Sequence, residues 1–247
     1  MCYNFYGPFE RGMMKDVVWF EDQEYQVDYE ILAPGIIVYR NALPKSMNII
    51  NRVEAILAKE GTRFQWASAE VGYGDVINDA RKCKDWKLHP RDLGEVNEYS
   101  EDAYKLHGAI ELSLKVCLEH YSRLTYSGPM KYIEAINIVK YGKGEYFKIH
   151  SDDGEPYRCT ISAVGYPNDD YEGGELWFPL FDVKHKPKAG DFVISPSAFS
   201  YAHSSEPVTD DGIKYSLVIM TDRNEFAHAK DSPIYYSEDV RRQFGIV

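Results

Sequence analysis

From residue 131 to residue 222 the chain is a run of short β-prone segments cut apart by turn residues, and the run follows two amphipathic helices. The segments are Ile133–Tyr141, Tyr146–His150, Thr160–Tyr166, Leu176–Phe181 after Gly173-Gly174, Phe192–Ile194 after Gly190, and Tyr215–Thr221. Upstream, Met47, Ile50, Val53, Ile56 and Leu57 recur at helical spacing over 45–59, ended by Gly61. Ala103, Leu106, Ile110, Leu114, Cys117 and Tyr121 do so over 100–121, with Ser100 placed to cap and Glu101 and Asp102 in the first turn. Two shorter strands are expected at Ile36–Tyr39 and Phe64–Val71. The fold class is α+β, mainly β: a jelly-roll (double-stranded β-helix, cupin-like) core with the N-terminal helices packed on one sheet. One domain is expected over 31–222, with its core at about 131–222. Residues 1–30, an irregular arm or an added edge strand, and 223–247, with helix from Ser237, are read as extensions.

Composition narrows the function classes. The net charge is −11, and the densest basic stretch, Arg81-Lys82-Cys83-Lys84, is broken by Asp79 and Asp85. Phosphate recognition needs a basic stripe, so nucleic acid is not the expected partner. The 20 tyrosines suit β-structure and sites that want a hydroxyl on an apolar body. Cys2, Cys83, Cys117 and Cys159 form no CxxC pair, so free thiols in a reducing compartment are expected. The N-terminal stretch lacks the apolar run of a signal peptide, and Ile31–Tyr39 is too short to cross a bilayer. A cytoplasmic protein with no membrane partner is the reading; its oligomeric state is left open.

The chemistry is concentrated after Tyr141, in YGKGEYFKIHSDDGEP. His150 and Asp152 stand two apart at a strand end, where period-two geometry turns both to one face. His203, in SYAHSSEP, can add a third ligand. Two imidazoles and one carboxylate leave three positions of an octahedral ion open, as in non-haem iron(II) oxygenases. Alone the pair is weak, because His150 also reads as a strand-end histidine and Asp152 as a turn former beside Gly154. Asp153 is an alternative ligand that does not share the strand face of His150. His89, His107, His120, His185 and His228 read as structural or surface residues.

An ordered series of further motifs resembles the prolyl 4-hydroxylase-like branch of the 2-oxoglutarate dioxygenases. Tyr141-Gly-Lys-Gly-Glu-Tyr146 leads to His150-Ser-Asp152, then Arg158-Cys-Thr160, Tyr166-Pro-Asn168, Glu172-Gly-Gly-Glu-Leu176 and Pro187-Lys-Ala-Gly-Asp-Phe192. His203 and Lys214-Tyr-Ser216 close it, with His203 and Lys214 at the family's spacing of eleven. The likeness spans roughly residues 35–222. It implies iron(II) at His150, Asp152 and His203, with 2-oxoglutarate and dioxygen as co-substrates and ascorbate as a supporting reductant. Lys214 would pair the distal carboxylate of 2-oxoglutarate, because a buried charge without a partner is very costly. Ser216 on the same strand face and Tyr166 would add hydroxyl donors, and Tyr141 would border the pocket. Alkylation-repair relatives use arginine at the lysine position and a second arginine where this chain has Met220, which agrees with its acidic charge.

The resemblance implies hydroxylation of an unactivated C–H bond, peptidyl proline foremost, with 2-oxoglutarate converted to succinate. Other readings are an oxygenase acting on a small molecule or another side chain, and a non-catalytic metal-binding jelly roll. Arg81, Trp86 and Arg158 are candidate substrate contacts, although Arg158 also reads as a surface ion-pair residue. The 72–86 loop is either a substrate-covering segment hinged at Gly72 and Gly74 or a plain surface loop.

Overall fold

The computed structural model describes residues 12–71, 76, 77, 79–154 and 159–223. The strands are β1 (Met14–Phe20), β2 (Gln23–Ala33), β3 (Ile36–Arg40), β4 (Ala67–Ser68), β5 (Arg81–Lys82), β6 (Lys84–Leu88), β7 (Tyr132–Tyr141), β8 (Tyr146–His150), β9 (Ile161–Tyr166), β10 (Leu176–Phe178), β11 (Val183–His185), β12 (Asp191–Pro196), β13 (His203–Ser205) and β14 (Lys214–Asp222). The helices are α1 (Ile49–Ala58), the single turn α2 (Pro90–Leu93) and α3 (Glu101–Thr125). A nine-stranded sheet runs in the order β1-β2-β3-β12-β9-β14-β7-β6-β4, and a five-stranded sheet in the order β11-β10-β13-β8-β5. All named strand pairs are antiparallel, and the two sheets form the expected jelly roll.

The larger sheet has two different faces. On β14, Leu217 and Ile219 turn to the core shared with the helices, whereas Lys214, Ser216, Val218 and Met220 line a cavity between the sheets. That helix-side core takes Val53 and Ile56 from α1 and Leu106, Ile110 and Leu114 from α3. Each such fully buried aliphatic is worth about 1.5–3 kcal/mol. The Glu101–Lys105 pair on α3 is exposed and screened by solvent, so burial against the sheet holds the helix in place. No described helix is long and apolar enough to cross a membrane.

Several sequence expectations need correction. Of the two readings of residues 1–30, the edge strand holds over 14–30 and the irregular arm does not: β1 and β2 form a hairpin added to β3 at the edge of the larger sheet, with Val18 and Val27 in the core. The strand expected over Phe64–Val71 shrinks to Ala67–Ser68. The strand beginning at Leu176 stops at Phe178, because Pro179 opens a turn of 3-10 helix. Ser100 does not cap α3 with its side chain; its Oγ donates to the Glu95 carbonyl, and Asn97 Oδ1 instead accepts from the Tyr99 and Ser100 amides. The helix expected from Ser237 lies outside the described residues.

Candidate metal and co-substrate site

His150 ends β8 and lies directly opposite His203 on β13, with ring centroids 4.7 Å apart. Asp152 follows two residues after His150. Its Oδ1 is 3.3 Å from His150 Nε2, and its Oδ2 is 3.6 Å from His203 Nε2. Nδ1 of His150 lies 2.8 Å from the Lys148 carbonyl, and Nδ1 of His203 lies 3.1 Å from the Tyr201 carbonyl. A carbonyl only accepts, so each Nδ1 carries a proton, and a neutral ring then presents its Nε2 lone pair to Asp152. Three acceptors therefore converge, and a cation between them resolves the conflict. Asp152 Oδ2 is buried with no hydrogen-bond donor.

Burial raises the Asp152 pKa and positive charge at His203 and His150 lowers it by more; a bound cation supplies that charge when both rings are neutral ligands. The buried His203 ring is pushed down by desolvation, which favours its neutral, ligating form. Two imidazole nitrogens and one carboxylate oxygen, within 4.8 Å of one another, are a donor set that fits iron(II). Asp153 is exposed, and its amide is bonded to the Ser197 carbonyl.

The same cavity reaches Lys214, the first residue of β14. Its side chain is fully enclosed, and Nζ donates to the Gly174 carbonyl at 2.7 Å and to Ser205 Oγ at 2.8 Å. The rings of Tyr141 and Tyr166 flank the ammonium at 5.0 and 5.5 Å. Neither hydrogen-bond partner carries charge. Desolvation, then the Lys186 ammonium, push the Lys214 pKa down to about 7. Tyr166 Oη and Ser216 Oγ are buried without hydrogen-bond partners. A buried ammonium and two unpartnered hydroxyls beside the metal-binding residues fit a carboxylate ligand.

The cavity measures about 610 Å³, more than a five-carbon diacid fills. Its further reach is lined by Asp85 and Lys87 from β6, His89 just after it, Asn137 from β7, and Val218 and Met220 from β14.

The structure thus brings His150, Asp152, His203, Lys214, Tyr166, Ser216, Tyr141 and Arg81 to one cavity. Trp86 does not join them. On β6, Asp85 and Lys87 face the cavity, so Trp86 points to the opposite face and packs on Phe64 in the helix-side core. Arg158, Gly72 and Gly74 lie outside the described residues. His107 pairs with Glu111 on α3, His120 bonds Tyr39 and Asp16, and His185 is buried near Asp191. His89, read as structural or surface, sits on the cavity wall.

Sequence reasoning missed Ser205 and Phe147. Ser205 is two residues after His203 on the same strand, a spacing that could have revealed it. Phe147 stacks on His150 with ring centroids 3.6 Å apart and planes at 17°. Residues three apart on a regular strand point to opposite faces, so spacing alone hides this contact.

Comparison with known proteins agrees with this geometry. Residues 136–221 match the family described as the 2OG-Fe(II) oxygenase superfamily. No curated protein sequence matches the chain. Among solved structures, a Trichoplax adhaerens prolyl hydroxylase in complex with a hypoxia inducible factor oxygen degradation domain peptide fragment superposes with TM-score 0.59. It is 16% identical, over 76% of this chain and 84% of that one. The viral collagen prolyl hydroxylase of Paramecium Bursaria Chlorella virus-1, in its 2OG complex, gives TM-score 0.53 at 17% identity, over 76% and 95% of the two chains. A Pseudomonas putida prolyl-4-hydroxylase gives 0.53 at 21%, over 77% and 94%. These likenesses bear on the fold, and the sequence match covers the strands that carry all three metal-binding candidates and Lys214. Residues 136–221 are thus similar to the 2OG-Fe(II) oxygenase superfamily over the stretch that holds His150, Asp152, His203 and Lys214.

Proposed function

We propose that the chain hydroxylates a proline in a peptide or protein, using iron(II) held by His150, Asp152 and His203 and 2-oxoglutarate held by Lys214, Tyr166 and Ser216. What supports this most is one juxtaposition: a buried carboxylate between two imidazoles with its Oδ2 undonated, in the same cavity as a buried ammonium hydrogen-bonded only to neutral partners. The structural neighbours named as prolyl hydroxylases, one of them with a peptide, favour a peptide over a nucleic acid, as does the net charge of −11.

In this reading Lys214 pairs with the distal carboxylate of 2-oxoglutarate, and the Tyr166 and Ser216 hydroxyls donate to it. Gly174 and Ser205 keep the ammonium aimed, and the Tyr141 ring closes the side of the pocket. Bound iron(II) supplies the redox chemistry by which dioxygen and 2-oxoglutarate become succinate, carbon dioxide and one hydroxyl on the substrate carbon. The protein orients the reactants and excludes water from around them. The outer cavity walls, with Asn137, Val218 and Met220, receive the substrate side chain.

The test is succinate release from 2-oxoglutarate with iron(II) and ascorbate, compared with Asp152→Ala, followed by mass spectrometry of proline-containing peptides for the gain of one oxygen atom. Parent and variant releasing succinate equally would overturn the oxygenase assignment of these residues. Succinate release without oxygen incorporation into any proline peptide would overturn the substrate.

A further inference from the structure

The metal-ligand candidates differ in how they are held. His203 is buried, and its ring lies 5.2 Å from Phe178. His150 sits at the end of its strand with 21% of its side chain exposed, and one hydrogen bond from Nδ1 does not fix the plane of its ring. The plane is fixed by Phe147, stacked on it at 3.6 Å.

A β-bulge makes that contact. Across the β13–β8 pair His203 faces His150, but Ser205 faces Phe147, so three steps on β8 oppose two on β13. The extra residue brings Phe147 and His150 to the same side. A face covered by an imidazole at 3.6 Å has no room for a second planar group, so the guanidinium of Arg81, 4.8 Å from the Phe147 ring centroid, covers the other. Arg81 is the register partner of Phe147 across β5–β8. The Lys148 amide also donates to the Ala80 carbonyl and ties β8 to the residue just before β5.

Arg81 is itself anchored. Nη1 donates to the Glu70 carbonyl at 2.9 Å and Nε to Cys83 Sγ at 3.3 Å, and Nη2 lies 3.8 Å from Asp85. Donors engaged in this way are poorly free to grip a substrate, whereas a guanidinium fixed in plane makes a rigid backing for a ring.

We infer that Arg81 is a positioning residue that acts through Phe147 to set the plane of the His150 imidazole and so the metal affinity of the site. This rests on the assignment of His150 as a metal ligand. A ring free to rotate about its Nδ1 hydrogen bond loses the Nε2 direction that coordination needs. Partners that orient a metal-binding histidine characteristically change metal affinity by about 10–100-fold when removed.

The experiment is a cobalt(II) titration of the full chain followed by visible ligand-field absorbance, with thermal unfolding of the metal-free proteins alongside. His150→Ala tests the underlying assignment: if it binds cobalt(II) as the parent does, His150 is not a ligand. Arg81→Met and Phe147→Leu are each expected to weaken cobalt(II) binding about tenfold or more and to alter the ligand-field bands. The double variant is expected to bind no more weakly than the worse single one, because both changes remove one stack. Phe147→Tyr, which keeps the ring, is expected to retain the parent affinity. Parent-like affinity and spectrum in Arg81→Met, while His150→Ala loses binding, would overturn the positioning role and leave the metal site standing. So would additive losses in the double variant. A fall in melting temperature with unchanged cobalt(II) affinity would make Arg81 purely structural.

Discussion

Lys214 joins the two sheets: its ammonium, on β14 of the larger sheet, donates to Ser205 Oγ on β13 of the smaller one at 2.8 Å. This places the cation two residues along β13 from His203. Removing the charge separates binding from folding. Lys214→Met keeps a similar volume and relieves a buried cation of its desolvation cost, so stability is expected to match or exceed that of the parent. Affinity for 2-oxoglutarate is expected to fall by at least about 30-fold, roughly 2 kcal/mol or more, the cost of truncating one partner of a buried charge pair. Calorimetric titration with 2-oxoglutarate and thermal unfolding on the same protein check both halves. Undiminished affinity would remove Lys214 from the co-substrate site.

The same lysine gives the site a pH dependence whose sign follows from its environment. Desolvation, reinforced by Lys186, depresses its pKa to about 7. Above that value the free protein holds Lys214 largely neutral, while a bound carboxylate favours the charged form and raises the pKa. Binding 2-oxoglutarate at pH 8 is therefore expected to take up close to one proton, and at pH 6 almost none from this group. Affinity should weaken as pH rises from 6 to 8.5. Calorimetry in buffers of different ionisation enthalpy measures the uptake, and Lys214→Met should abolish it.

Asp152 is the one anionic member of the candidate metal set, and its Oδ2 has no donor of its own. Asp152→Ala is expected to lower metal affinity by more than about 100-fold, beyond the 10–100-fold that outer-shell changes cause. Metal binding should also weaken with acid, because protons compete for the imidazoles. Desolvation pushes the His203 pKa down, so competition there begins at lower pH than for an exposed histidine. Cobalt(II) titrations of parent and variant across pH check this. Equal affinity in Asp152→Ala would mean that the carboxylate is not a ligand.

Much of the site was legible because it obeys period two. His150 and Asp152 converge, and Lys214 and Ser216 line one cavity, as period-two spacing implies. Phe147 was not legible, because the bulge that turns it toward His150 is a matter of pairing with β13. Trp86 was misplaced for a related reason: which face of β6 meets the cavity is decided by its pairing of Trp86 with Ile138 on β7, on the helix side. The β1–β2 hairpin turns at Glu21-Asp22, both with positive φ, where Asn-Gly would have announced a hairpin. Core positions on α3 follow helical periodicity as read; on α1 Val53 and Ile56 do, but the helix begins at Ile49, which is buried, while Ile50, expected on the apolar face, is only half-buried.

Gly174 tests how finely the co-substrate pocket is built. Its φ is +65°, and a Cβ added there would meet the Tyr171 ring at 2.8 Å and Lys214 Cδ at 3.0 Å. Its carbonyl also accepts the Lys214 hydrogen bond. Gly174→Ala therefore strains the backbone by about 1–2 kcal/mol and pushes the lysine stem from its place. A lowered melting temperature is expected together with a raised KM for 2-oxoglutarate, a combination that Lys214→Met does not share because it leaves the backbone alone. If Gly174→Ala lowers stability but leaves the KM for 2-oxoglutarate as in the parent, the lysine reaches the co-substrate without support from this turn.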